Sequence, residues 1–246
     1  MQPASSLTIV LPAYNEAKRI GPALDDLMTY LRGAGRAELP TAEVLVVDDG
    51  STDDTAALVE GRGDPEIRVL RVPHGGKGAA VRAGMLDAGG DVAIFADSDM
   101  ATPPTELPKL VSALQSADVA LGSRIQPDGS DMRATQPRYR RALGAFFHLL
   151  ASIWVVGGVK DTQCGFKGFT RTAAQDIFAR QKITSIVFDV ELIHLARRRG
   201  YRIEVVPIRW HDVRGSRMRP GARLAMRVAW DLFRIPLLHR GVGKAR

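Results

Sequence analysis

Two carboxylates, Asp97 and Asp99, stand one residue apart at the end of an apolar run, in the segment VAIFADSDMATPP at residues 92–104. The run predicts a buried strand. The spacing lets both carboxylates reach one divalent cation where the chain leaves the sheet. Such hard oxygen ligands suit Mg²⁺ or Mn²⁺, which complete their coordination with substrate phosphates. The pair therefore predicts a metal site that neutralises charge on a departing diphosphate.

Polar and acidic residues also follow two other predicted strands. The first strand ends in PAYNE at residues 12–16, and the second ends in DDGSTDD at residues 48–54. In open parallel sheets, ligands bind beyond the carboxyl ends of the strands. One acidic strand end is often only a helix cap. Three at the same edge favour a binding site.

A glycine-rich segment, HGGKGAA at residues 74–80, could hold an anion with its backbone amides and with Lys77. It lacks the spacing and the Lys-Ser/Thr pair of a P-loop, and a plain tight turn is the alternative. After the first strand, Tyr14, Asn15 and Glu16 stand where a nicotinamide-binding domain would carry G-x-G-x-x-G. The sequence therefore excludes that class of dinucleotide-binding domain.

The order of the predicted elements shows how these segments would be positioned. Continuously apolar runs alternate with helix-like segments, which is typical of an α/β fold with a mostly parallel, doubly wound sheet. Strands are predicted at residues 7–12, 43–50, 67–73, 91–99, 118–124 and 201–210. Helices are predicted at residues 16–34, 53–61, 78–88, 104–116, 172–180 and 188–199.

Length and composition indicate one domain. The chain has 246 residues, 45% of them hydrophobic, and no linker separates a second core. The single Cys164 excludes an internal disulfide, and the first ten residues predict no signal peptide. Residues 142–159 carry no Asp, Glu, Lys or Arg. We expect them to form a buried or membrane-grazing helix rather than a crossing.

Positive charge is concentrated at the C-terminus. From residue 214 onward there are nine Lys and Arg residues and one acidic residue, whereas the whole chain has a net charge of +7. Such a tail predicts an anionic partner, either nucleic acid or acidic lipid. Nucleic acid is disfavoured, because the tail lacks interleaved aromatic residues and three acidic strand ends would repel phosphate unless metals intervene.

The tail predicts a basic amphipathic helix. Its basic residues recur at spacings of four, four and seven on one face, at Arg219, Arg223, Arg227 and Arg234. Apolar side chains cover the rest of the helix. A helix of this kind is expected to lie in a membrane interface, and Pro236 should end it. The alternative is an ordinary helix that packs on the domain.

The motifs, taken in order, resemble glycosyltransferase family 2 with its GT-A-type fold. The matching segments are LPAYNEAKRI, VLVVDDGSTDDT, GKGAAVRAGM, FADSDMATPP, GSR and DTQCGFKGFTR. They run from residue 7 to about residue 217, nearly the whole domain. DTQCGFK and FDVELI are most similar to the glucosyltransferase branch of the dolichyl- or polyprenyl-phosphate glycosyltransferases, and the mannosyltransferase branch is a near relative.

The resemblance implies roles for individual residues of a nucleotide-sugar site. The nucleoside would be held by residues on the first two strand ends, which are Pro12, Tyr14, Glu16 and Asp48. Asp97 would lie near the ribose, diphosphate and metal, Asp99 would be the main metal ligand, and Arg124 would contact phosphate. Lys77 is a further candidate contact for the donor. Mannosyl members often carry a Gln metal contact where this chain has Ala101, which weakens the mannosyl alternative.

The resemblance also implies a reaction, the metal-dependent and inverting transfer of a hexose to a polyprenyl or dolichyl phosphate. The donor would be UDP-glucose in preference to GDP-mannose. A lipid phosphate can attack the anomeric carbon without a general base, since its second pKa is about 6. A hydroxyl acceptor would instead need a carboxylate base. Asp189 or Glu191 could serve then, although both are expected to be helix-surface acids.

The acceptor phosphate is expected at a basic loop before the tail helix. The segment HDVRGSRMRP holds Arg214, Ser216 and Arg217, and a related R-x-G-x-S-K-type loop occurs in similar enzymes. Arg138 and Arg140, which enter the uncharged segment, are second contributors. Arginine suits this task because it stays ionised and binds phosphate bidentately.

These assignments divide the single domain 1–246 by function. We expect a nucleotide-sugar half at residues 1–125, an acceptor half at 126–213, and a basic loop with an amphipathic tail at 214–246. The expected location is cytoplasmic, bound peripherally to an anionic membrane at its cytoplasmic face.

Overall fold

The structure is a computed structural model that describes residues 4–132, 159–211 and 222–245. One sheet contains the strands β1 Ser6–Ala13, β2 Thr41–Asp48, β3 Ile67–Arg71, β4 Val92–Phe95, β5 Val119–Ser123, β6 Lys167–Thr170 and β7 Ile203–Pro207. Their order is β3-β2-β1-β4-β6-β5-β7. Neighbours are parallel except where β6 lies antiparallel to β4 and β5. The predicted α/β fold with a mostly parallel, doubly wound sheet is confirmed.

Helices cover both faces of this sheet. They are α1 Ile20–Arg32, α2 Gly35–Glu38, α3 Thr55–Glu60, α4 Lys77–Asp87, α5 Leu107–Ala113, α6 Arg171–Arg180, α7 Phe188–Arg199 and α8 Ala222–Leu238, and a 3₁₀ turn at Pro104–Glu106 precedes α5. Side chains of β1 alternate between two apolar layers. Val10 joins the layer of α4, α6 and α7, and Ile9 and Leu11 join the layer of α1 and α5. Burial on both faces explains why the strands read as continuous apolar runs.

The reversed strand β6 was not predicted from the sequence. It lies inside the sheet between β4 and β5, with Lys167 opposite Phe95 of β4 and Leu121 of β5. Four residues that include a lysine and a glycine give no strand periodicity. The Lys167 side chain is fully buried, and its Nζ donates to Cys164 O and to Asp189 Oδ1, both at 2.5 Å. A charged residue can occupy this strand because its partner is buried with it.

The C-terminal helix α8 packs on the domain. Leu232 and Ile235 join the apolar layer beside α7. Pro236 was expected to end the helix, but the helix continues to Leu238. Proline removes one backbone donor and here lies two residues from the helix end, where Lys182 Nζ caps Leu238 O at 3.1 Å. Of the helices in the described ranges, none is long and apolar enough to cross a membrane.

The Lys167–Asp189 ion pair gives a test of the core. We predict that Lys167→Met lowers the free energy of unfolding by about 3–5 kcal/mol, because it leaves the buried Asp189 carboxylate unpaired. The double variant Lys167→Met/Asp189→Leu should recover most of that loss, since neither charge remains. Urea unfolding of the three proteins measures both effects. Equal losses in the single and double variants would contradict the account.

Candidate active site

A cleft of about 360 Å³ opens at the carboxyl ends of β1, β2 and β4. These strands are adjacent and parallel, so the chain leaves them at the same edge of the sheet. The cleft is lined by Pro12, Ala13, Tyr14, Glu16, Asp49, His74, Gly76, Lys77, Ala80, Asp97, Ser98 and Asp99. A larger depression of about 580 Å³ lies between α5 and β7, but its lining includes none of the strand-end carboxylates. The strand-end carboxylates that could take part in a reaction are therefore concentrated in the first cleft.

Asn15 shapes the turn that follows β1. It adopts a positive φ of 55°, which is uncommon for a residue other than glycine. The turn is held on the β2 loop, because Asn15 N donates to Ser51 Oγ at 2.9 Å and Thr52 N donates to Asn15 Oδ1 at 2.8 Å. Glu16 then faces Arg19, whose Nε and Nη2 donate to its carboxylate at 2.7 Å. These contacts fix Tyr14 and Glu16 at the rim of the cleft.

Asp97 and Asp99 lie in the turn after β4 rather than in the strand. Asp97 is paired with Lys77 Nζ. Asp99 Oδ1 accepts a hydrogen bond from Ala101 N at 3.1 Å. Burial raises the pKa of Asp99, and the neighbouring Asp97 carboxylate raises it further. The pKa of Lys77 is also raised, because the carboxylates around it outweigh the opposing effect of burial.

The glycine-rich segment is held in place by Asp49, a residue that sequence reasoning missed. Its carboxylate accepts from Gly75 N at 2.8 Å and Gly76 N at 2.9 Å. His74, the residue before Gly75, stacks on Tyr14 with ring centroids 4.2 Å apart. Asp48, the residue predicted for the nucleoside, does not line the cleft, and its buried Oδ1 has no hydrogen-bond partner within the described chain. Successive strand residues point to opposite faces, and the sequence does not say which Asp faces the ligand.

The segment DTQCGFK forms a wall behind Asp97. A Cβ built on Gly165 would lie 2.6 Å from Asp97 Cγ, closer than side chains pack. The buried thiol of Cys164 has its pKa raised to about 12 by burial, which makes it unreactive. The motif was noticed for its resemblance alone. Glycine is needed at position 165 because Asp97, 68 positions earlier in the sequence, packs against it. A local sequence pattern does not predict such a contact.

Arg124 lies outside the residues that line the cleft. Its Nε and Nη2 donate to the two carboxylate oxygens of Asp161 at 2.8 and 2.7 Å, and Arg124 N donates to the same carboxylate at 2.9 Å. Its guanidinium also lies 5.5 Å from the Trp210 ring centroid. The described structure thus uses Arg124 to join β5 to the DTQCGFK segment, and its contact with phosphate stays a prediction.

Two expected surface acids are buried, so that expectation was wrong. Asp189 faces Lys167, and the fully buried Glu191 accepts hydrogen bonds from three donors. Asp189 points toward β6, and Glu191 points toward the residues that precede α7 and toward His239, so neither side chain faces solvent. The predicted acceptor residues Arg138, Arg140, Arg214, Ser216 and Arg217 lie outside the described residues, as do residues 142–158 of the uncharged segment.

Comparison with known families decides the class of enzyme. The sequence model described as Glycosyl transferase family 2 matches residues 8–178. The chain belongs to glycosyl transferase family 2. The match runs from β1 through α6 and includes every residue that lines the cleft. The protein is therefore a glycosyltransferase, as the motifs predicted.

Individual relatives of this family 2 glycosyltransferase carry more specific names. The Dolichyl-phosphate beta-glucosyltransferase ALG5C of Trichomonas vaginalis is 39% identical over 243 residues, which cover 95% of this chain and 71% of the relative. The Dolichyl-phosphate beta-glucosyltransferases of Drosophila melanogaster and Homo sapiens are 38% and 34% identical, each over 89% of this chain and 71% of the relative. The predicted glucosyltransferase branch matches these names.

Solved structures show the same fold. Glucosyl-3-phosphoglycerate synthase from Mycobacterium tuberculosis superposes with a TM-score of 0.64 at 22% identity, over 98% of this chain and 81% of that one. A structure of the same enzyme in complex with Mn²⁺ and UDP-glucose gives a TM-score of 0.63 at 23% identity, over 98% and 80% of the two chains. This likeness establishes the GT-A-type architecture of the family 2 domain.

Gly165 gives a sharp test of the site in this glycosyltransferase. We predict that Gly165→Ala lowers the transfer rate by about 100-fold or more, because the added methyl group displaces the Asp97 carboxylate. The matched control is Gly21→Ala on α1, where an added Cβ meets nothing within 4 Å. The control should keep full activity. Normal activity in Gly165→Ala would show that Asp97 can shift without cost.

Proposed function

We propose that this glycosyltransferase transfers glucose from UDP-glucose to a dolichyl or polyprenyl phosphate with inversion at the anomeric carbon. The observation that carries the proposal is the cleft that places Lys77 against Asp97 and Asp99 at the sheet edge. The names of relatives at 34–39% identity support the choice of sugar and acceptor. GDP-mannose is the competing donor.

The rim of the cleft supports binding of the nucleoside. Tyr14 and His74 offer stacked rings beside Pro12 and Glu16, and aromatic faces stack well on nucleobases. Asp48 lies next to the cleft-lining Asp49 but does not itself line the cleft, so its contact with the nucleoside stays a prediction. Lys77 can then move from Asp97 to the diphosphate, since both partners are anionic.

The cleft carboxylates fit a divalent cation. Burial of Asp99 and repulsion from Asp97 both disfavour the ionised form of Asp99, and a cation held between the two would relieve that repulsion. No group of three or more metal-binding side chains occurs in the described part of the chain. Two carboxylates plus phosphate oxygens are a usual set for Mg²⁺ or Mn²⁺. When bound, the metal neutralises charge on the departing diphosphate.

The acceptor phosphate supplies the nucleophile. One of its oxygens forms a bond to the anomeric carbon as the bond from that carbon to the diphosphate breaks, and the electron pair leaves with the nucleotide. The ionised phosphate needs no base. Burial argues against a base role for either acidic residue of α7. The Glu191 carboxylate already accepts hydrogen bonds from three donors, and Asp189 is paired with Lys167. A hydroxyl acceptor is therefore disfavoured.

We further propose that the lipid phosphate binds to the basic residues ahead of α8 and at the start of the uncharged segment. Arginine binds phosphate without losing its charge, which suits a site at a lipid surface. The arginines are Arg138, Arg140, Arg214 and Arg217, with Ser216 beside the last two. Arg214 to Arg217 precede α8 in the sequence, and Arg138 and Arg140 precede the uncharged segment.

The outer face of α8 supports a peripheral location on a membrane. Met226, Trp230, Phe233 and Leu237 are exposed on this helix, and Trp230 is 59% exposed. Arg227 is exposed on the same helix. An exposed apolar stripe with basic flanks binds an anionic interface. Because the cytoplasmic leaflet carries anionic lipid, we place the protein there.

A donor and metal experiment tests the proposal. UDP-glucose with Mn²⁺ should raise the melting temperature of the wild type more than GDP-mannose with Mn²⁺ does. Asp99→Asn should lower the transfer rate by more than about 100-fold, the upper loss seen for residues that only support a metal ligand. The ligand-free variant should melt no lower than the wild type, because ionised Asp99 is disfavoured in the fold.

The pH dependence follows from the raised pKa of Asp99. The carboxylate must be deprotonated to bind the metal, so Mn²⁺ affinity should weaken as the pH falls toward that pKa. The loss should begin at a higher pH than for an ordinary Asp. Full activity in EDTA, or in Asp99→Asn, would contradict the metal assignment.

Vesicle flotation tests the membrane surface. We predict that the wild type floats with vesicles that contain anionic lipid, and that Trp230→Ser/Phe233→Ser reduces partitioning by about tenfold or more, since each buried aromatic side chain contributes about 1.5–3 kcal/mol. Leu58→Ser is the control, because Leu58 is an exposed apolar residue on α3. Equal flotation of all three proteins would show that the exposed face of α8 does not bind the vesicle surface.

A further inference from the structure

The C-terminal segment, which comprises α8 and the residues after it, is held on the domain by hydrogen bonds as well as by apolar packing. Ser185 Oγ donates to Asp231 Oδ2 of α8 at 2.6 Å. Past the helix, Arg199 Nη1 at the end of α7 donates to Gly243 O at 2.7 Å and to Lys244 O at 3.0 Å. Asp231 is buried, and its Oδ1 lies 3.3 Å from Arg234 Nε on the same helix. A buried carboxylate that meets a hydroxyl donor fixes the position of both partners.

Glu191 connects the same segment to the loop between α6 and α7, which comprises residues 181–187. Its Oε1 accepts from His239 Nε2 at 2.7 Å and from Lys182 N at 2.9 Å. Its Oε2 accepts from Ile183 N at 2.8 Å. Both Glu191 and His239 are almost fully buried. The carboxylate therefore clamps the 181–187 loop between the helix that bears it and the residue that follows α8.

The opposite side of the 181–187 loop contacts the start of α4. Gln181 Nε2 donates to Gly78 O at 2.9 Å, and Gly78 N donates to Thr184 O at 3.2 Å. The two segments approach closely, since a Cβ on Gly78 would lie 2.8 Å from Thr184 O. Lys77 stands between Gly76 and Gly78, which both face this loop, and its side chain reaches Asp97. The loop thus supports the backbone from which Lys77 projects.

We propose that Asp231 and its partner Ser185 are positioning residues for the donor cleft, acting through the 181–187 loop on the backbone around Lys77. The inference rests on the proposed role of this cleft in binding a nucleotide-sugar. The C-terminal segment is then part of the donor site in function, and not a separable membrane anchor. The boundary expected at residue 214 does not separate the two roles.

The test compares donor binding in Ser185→Ala, Asp231→Ala and Asp231→Asn. Each full-length protein is titrated with UDP-glucose and with GDP-mannose in the presence of Mn²⁺, without vesicles. Ser185→Ala and Asp231→Ala should raise the donor Kd by about 3- to 30-fold, the range found for residues that couple distant sites. Asp231→Asn keeps an acceptor oxygen for Ser185 and should bind within about twofold of the wild type.

A second measurement does not depend on the donor. Amide hydrogen exchange at residues 76–80 should accelerate in Ser185→Ala and in Asp231→Ala, because the bond from Gly78 N to Thr184 O opens more often. The control is Ala229→Gly, at an exposed position on the same helix. It weakens the helix by about 1 kcal/mol without touching the loop. Its melting temperature should fall while its donor Kd stays unchanged.

The outcomes separate the two proposals. A wild type that prefers GDP-mannose would overturn the proposed donor but not the positioning role. Wild-type donor affinity and wild-type exchange at residues 76–80 in both Ser185→Ala and Asp231→Ala would overturn the positioning role and leave the donor assignment intact. A wild type that binds neither nucleotide-sugar would overturn both.

Discussion

Several carboxylates must coexist at one edge of the sheet, and the structure around the cleft follows from the partners that each one needs. Glu16 is held by Arg19, Asp49 by the amides of Gly75 and Gly76, and Asp97 by Lys77. Asp99 accepts a hydrogen bond from a backbone amide and forms no ion pair within the described ranges of the chain, and burial raises its pKa. In the proposed function, this carboxylate would bind the cation that neutralises the charge of the donor diphosphate.

The partners of Asp49 and Asp97 lie 20 to 27 positions away in the sequence, which ties the cleft to other parts of the domain. The amides that hold Asp49 belong to the loop before α4, and α4 is supported in turn by the 181–187 loop. That loop is clamped by Glu191 and by α8. A disturbance at the C-terminal segment therefore reaches Lys77 through hydrogen bonds to backbone atoms.

The sequence predicted the features that depend on local pattern. Apolar runs located β1 to β5, and the acidic strand ends located the cleft, because parallel strands place their carboxyl ends together. It did not predict β6, the role of Asp49 or the burial of Glu191. Each of these depends on a partner far along the chain, such as His239 for Glu191, and residue spacing carries no record of such contacts. Motif resemblance identified DTQCGFK but not the contact of Gly165 with Asp97.

The reversed strand β6 constrains the order of assembly. It fills the space between β4 and β5, yet residues 167–170 follow β5 by more than 40 positions. Until they are synthesised, the inner edges of β4 and β5 have no bonding partner in the sheet, and exposed edges invite pairing with other chains. Closing such a non-local gap is slow. During synthesis of this enzyme, strands β1 to β5 therefore exist for an interval without the four-residue strand β6, and their unpaired edges are prone to aggregation in that interval.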